Sequence, residues 1–167
     1  NQVQTLTEVS DLRTLLGNLQ RAEKDIIISY NNVLQVGELR EQWSKTLAAL
    51  RTNLGKVRST QANNAAFTQA IDKTLAEIKD YAEGLDPVFQ RVQDAQIDGA
   101  AAAAYADEFK AHMAASDKLL SALAQQARTN MNDARQDIDA RTSLMSAFIG
   151  VLLLLALVVL IPLTLAS

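Results

Sequence analysis

The side chains of this chain best suited to chemistry are basic and hydrogen-bonding groups scattered along helical sequence. They include Arg21 and Lys24, three residues apart in the run RAEKD, and the single histidine, His112. An Arg guanidinium offers a fixed fork of donors to a carboxylate, and a Lys ammonium offers a mobile cation, so this pair suits anion recognition. Catalysis would need a nucleophile, a base and an orienting group that converge, and no such spacing occurs. Asp, Glu and Ser are numerous, but abundance along helices does not create an active site. With Cys 0 and no second His beside His112, a metal-ligand set is also absent from the sequence. The expectation is a chain that binds rather than turns over substrate and uses no cofactor. His112 falls on an apolar stripe, where it makes a buried polar contact or lines a pocket.

Helices must position these groups. Leu12, Leu15, Leu19, Ala22, Ile26, Ser29 and Val33 recur at steps of three and four, with Leu16 and Ile27 broadening the face. The pattern weakens around Val36, Gly37 and Glu38, where Gly37 can end the helix. A second face runs through Leu39, Trp43, Leu47, Leu50, Leu54 and Val57, and the polar stretch Ser59 to Asn64 connects it to a third. That third face holds Phe67, Ile71, Leu75, Ile78, Ala82, Leu85, Phe89 and Val92. Pro87, soon after Gly84, bends this helix without ending it, because the apolar period resumes at once. Asp98 and Gly99 mark the next turn, and Ala100 to Ala104 open a strongly helix-favouring fourth segment. Its face carries Tyr105, Phe109, His112, Ser116, Leu120, Leu123, Ala127, Met131, Ala134 and Ile138. No alternating strand pattern and no Gly-rich nucleotide loop interrupts the series. The expected fold is all-α: an antiparallel up-down-up-down four-helix bundle over residues 1–142.

The final stretch is of another kind. Leu144 to Leu165 contains no charged side chain and has the roughly 20-residue length of a membrane-crossing helix. Nothing between Ala127 and Leu144 breaks the helical pattern, so the fourth helix is expected to continue into a transmembrane helix over 143–167. All charged residues, Lys+Arg 16 and Asp+Glu 19 for a net charge of -3, precede this span. They form no basic tract suited to nucleic acid. The start at Asn1, without an initiating Met, fits a fragment whose signal peptide or first membrane helix lies upstream.

The combination resembles the extracytoplasmic sensor domain of a bacterial methyl-accepting chemotaxis receptor followed by its second membrane helix. It rests on the whole architecture: a first helix bearing RAEKD at Arg21 to Asp25, two further bundle helices, and a fourth that enters the membrane. The resemblance implies a homodimer in the bacterial inner membrane with residues 1–142 in the periplasm. It also implies a small ligand, a carboxylate or amino acid, held by helices one and four far from the membrane. The residues it makes candidates are Arg21, Lys24, Tyr30, Asn31, Arg91, Tyr105 and His112. Signals would pass through a region beyond this sequence to a cytoplasmic histidine kinase and an adaptor. A transmembrane histidine kinase could carry a similar sensor, and a structural helical tether would share the architecture without the ligand.

Overall fold

The structure, a computed structural model, describes residues 2–166, with side chains described as far as Val158. It is all-α, with helices α1 (Gln2–Ile28), α2 (Val33–Thr60), α3 (Ala65–Gln93), α4 (Gly99–Asp107) and α5 (Lys110–Ala166). Three of these begin on a side-chain cap. Asn32 Oδ1 accepts from the Gln35 amide at 3.2 Å, Asn64 Oδ1 from the Phe67 amide at 3.2 Å, and Asp98 Oδ1 from the Ala101 amide at 2.8 Å. Each satisfies a first-turn N–H that the helix itself leaves without a partner. Beyond the end of α3, Ala95 sits in the left-handed region at φ 57°, and the Gln96 amide reaches back to the Arg91 carbonyl at 2.8 Å. This six-residue closure is the usual helix stop, here made with Ala where Gly is the ordinary occupant.

Residues 1–127 form one compact unit. Polar contacts between helices fix their directions. Gln61 donates to Thr5 Oγ1 at 3.0 Å, which sets the end of α2 beside the start of α1. Arg58 grips Asp72 with two bonds of 2.7 and 3.1 Å, while Arg40 reaches Asp86 at 3.0 Å and Gln90 at 2.6 Å, so α3 runs back along α2. Between the helices lies one core, into which Leu12, Leu16, Leu19, Trp43, Leu50, Leu54, Phe67, Ile71, Ile78, Phe89, Leu120 and Leu123 are buried. These are the expected faces of the first three helices and, in the fourth segment, of the stretch through Leu120 and Leu123 alone, since Ala134 and Ile138 are exposed. Pro87 lies inside α3, which continues to Gln93.

Two expectations are corrected. The first helix does not run on to Gly37: the chain turns between Ile28 and Val33, and Gly37 lies within α2. The Asn32 cap explains the shift, helped by an Asn32 amide bond to the Ser29 carbonyl at 2.9 Å. Val33 therefore leaves the buried stripe and is 45% exposed. The fourth segment is also two helices, divided at Glu108 and Phe109. Here the amides of Glu108, Phe109 and His112 bond three residues back, to Tyr105, Ala106 and Phe109, at 3.3, 3.0 and 3.2 Å. This tightened turn seats the Phe109 ring against Gly84, where a Cβ would collide with it. It also rotates the buried face, so Ala102, Ala106 and Met113 are buried while Tyr105 is 41% exposed.

Residues 128–167 form the second unit, and the described ones are helical throughout α5. From Leu144 to Val158 the large apolar side chains are exposed, Leu144 by 72%, Phe148 by 67% and Leu154 by 64%. Within Lys110–Val158 an 18-residue window has mean hydropathy 2.0, none of it buried. A helix that is apolar all round is at home in a protein core or in lipid. By length and composition this one is suited to crossing a membrane.

Candidate ligand-binding site

A groove of about 600 Å³ opens along the 1–127 unit between α1, α4 and the start of α5. Gln20, Glu23, Lys24, Ile27 and Ile28 form one wall, and Ala103, Ala106, Asp107, Lys110, Met113, Ala114 and Asp117 form the other. The chain makes this space by its composition. Alanine-rich α4 presents little bulk, and the break before Lys110 lets α4 and α5 contribute separate stretches of wall. The volume falls in the range of small-molecule sites, and the mixture of apolar wall with a few polar groups is typical of them.

One wall residue is tied to the centre of the bundle. Tyr81 of α3 donates its hydroxyl to Glu23 Oε1 at 2.6 Å and accepts from Trp43 Nε1 of α2 at 3.3 Å. Trp43 in turn meets the Phe89 ring edge-on, with centroids 5.0 Å apart. Burial pushes the Tyr81 hydroxyl well above its ordinary range, and the Glu23 charge adds to the shift. Tyr81 thus keeps its proton and serves as a fixed donor. Burial also raises the Glu23 carboxyl above 4.5, outweighing the opposing pulls of the Tyr81 bond and of Lys24 and Lys110.

The raised Glu23 value has a consequence for stability. The folded chain holds this proton more tightly than the unfolded chain, so its contribution to stability falls as pH rises from 4.5 through the folded value. Glu23→Gln removes the titration. The difference in melting temperature between variant and parent should move in the variant's favour across that window and level off above it. Parallel melting curves across the window would show that Glu23 titrates normally.

The seven residues expected to form a site do not converge on one place. Lys24 lines the groove, but Arg21 faces a smaller hollow between α1 and α2 with Asn18, Asp25, Gln42 and Lys45. Tyr30 packs over Gly99, whose Cβ would come within 2.7 Å of the ring, and Asn31 is exposed in the α1–α2 turn. Arg91 lies over the Tyr105 ring, 5.1 Å from its centroid, so these two expected residues are brought into contact. His112 Nδ1 is 2.6 Å from Glu77 Oε2 on α3, which makes it a link between helices, half-buried, outside the groove lining. Nothing local in the sequence sets Tyr81, Asp107, Lys110 and Asp117 apart, and Glu23 is one charge among several on its helix. Charges on a helix read as wetted surface until the facing element is known, and only the RAEKD run, which contains Glu23, gave any sign of them. Among the described residues no group of His, Cys, Asp and Glu is placed to hold a metal ion. No protein-family model, curated protein or solved structure matches the chain.

Proposed function

We propose that this chain is the sensory and membrane-crossing part of a bacterial chemoreceptor, which responds to a small organic acid or amino acid in the periplasm. The observation that carries the reading is the groove of about 600 Å³ bounded by α1, α4 and α5, the last of which also contains the exposed apolar run. In this reading α1, α2, α3 and the α4–α5 pair are the four struts of an up-down-up-down bundle. Residues 1–142 stand outside the inner membrane, and the segment from 143 onward crosses it.

A ligand can shift such a protein only by binding one arrangement of its helices better than another. Filling the groove would favour one spacing of α1 against α5. The displacement would run along α5 through Ile138, Arg141 and Leu144 into the bilayer. In a homodimer the two α5 helices would carry it to a cytoplasmic region that controls a histidine kinase through an adaptor. The residues assigned to the groove differ from those the resemblance implied. Lys24 stays, and Glu23, Asp107, Lys110 and Asp117 join it.

The test uses the single tryptophan. Trp43 is the only one in the chain and hydrogen-bonds the Tyr81 that holds Glu23. The full chain in lipid nanodiscs, titrated with a panel of organic acids and amino acids, should show a saturable change in Trp43 emission and a rise in melting temperature with at least one of them. A chain that assembles in the membrane and responds to none would be a structural tether.

A further inference from the structure

We propose that the groove recognises a primary ammonium group, with the Glu23 carboxylate as its acceptor and the apolar wall of Ile27, Ala106 and Met113 as the seat for a short aliphatic body. This rests on the sensory reading above and narrows its ligand class, selecting ammonium-bearing compounds over plain carboxylic acids.

The argument begins from which charges are fixed. Glu23, Asp107 and Asp117 line the groove against Lys24 and Lys110, so acids outnumber bases. Among the described residues no ion pair joins any of these five. A ligand therefore meets these charges with no ion pair to break, although Lys24 and Lys110 also bear on the Glu23 charge and compete with a bound cation. The two lysines and the two aspartates are exposed, and their flexible or wetted heads pay an entropy or desolvation cost to engage. Glu23 differs. It is half-buried, and Tyr81 fixes one carboxylate oxygen at 2.6 Å, which leaves the other oxygen oriented without further ordering. A preorganised, partly desolvated carboxylate favours a cation, and charge-assisted bonds of this kind are the strong ones. A dicarboxylate entering the same groove would bring its charge against Glu23, Asp107 and Asp117. The buried Met113 and Ala106 and the half-buried Ile27 supply an apolar surface beside the carboxylate.

Calorimetric titration of the full chain in nanodiscs with L-leucine, isopentylamine, N-acetyl-L-leucine and succinate tests this. L-Leucine and isopentylamine should bind, while N-acetyl-L-leucine and succinate, which lack the ammonium, should bind about tenfold more weakly or worse. Glu23→Gln, which keeps an acceptor for Tyr81, should weaken L-leucine by about tenfold with helix content unchanged. Tyr81→Phe, which frees Glu23 without removing it, should produce a smaller loss. If N-acetyl-L-leucine or succinate binds as tightly as L-leucine, or if Glu23→Gln leaves binding unchanged, the ammonium assignment is overturned and the sensory reading survives. If none of the four binds, the ammonium assignment is overturned, while the sensory reading is decided by the wider panel of acids and amino acids.

Discussion

Replacing Phe89 with alanine is expected to destabilise the bundle by about 3–5 kcal/mol, the usual cost of emptying a fully buried aromatic site. Phe89 has no exposed surface and stands edge-on to Trp43, so its removal leaves a cavity and also an unsupported indole. Typical domains are stable by only ~5–15 kcal/mol, so this one side chain accounts for a substantial share. The effect should reach the groove as well. Trp43 braces the Tyr81 hydroxyl that orients Glu23, and a loosened indole would let that chain of bonds relax. Thermal unfolding of the 1–127 unit within the intact chain, followed by helix content and Trp43 emission, measures both consequences. A loss under about 1 kcal/mol would mean that the aromatic cluster is not a packing centre.

Leu154→Lys should be the most damaging change in the second unit. Leu154 sits within the unburied apolar run and is 64% exposed. A lysine near the centre of a membrane helix costs about 2.5–3.5 kcal/mol on insertion, which lowers the ratio of inserted to uninserted chain about a hundredfold. The same substitution at Asp133, in the charged stretch before the span, should leave insertion unchanged, and Leu154→Ile should be silent. An insertion assay that scores the three variants alike would mean that the run does not enter lipid.

Hydrophobic period made much of this fold readable. The faces through Trp43, Leu47, Leu50, Leu54 and Val57, and through Phe67, Ile71, Ile78, Leu85 and Phe89, are buried as the spacing implies. Helix ends were less readable, because apolar period and capping compete. Ser29 and Val33 carry the first period across Asn32, yet the Asn32 side chain starts a new helix there. The break at Glu108 has no breaker residue at all. It comes from Phe109 finding room over Gly84, a contact between residues 25 positions apart that no local pattern announces. The groove was the least readable feature. Lys24 was recognisable as a cation on a helix. Its neighbour Glu23 becomes distinctive only because Tyr81, a buried member of the α3 face, reaches across to hold it. His112 shows the same limit: the sequence marked it as unusual, and its partner Glu77 is supplied by the packing of α3.

The chain's lack of cysteine makes the membrane assignment directly measurable, since any introduced thiol is unique. Asp133→Cys and Leu154→Cys, each in the full chain in lipid nanodiscs with both faces open to water, would be treated with a charged, membrane-impermeant maleimide. The account predicts rapid labelling at 133 and protection at 154 that is lost when detergent dissolves the lipid. Equal labelling of the two thiols in intact nanodiscs would contradict it, because the apolar end of α5 would then lie in water and no signal from the groove could cross a membrane along it.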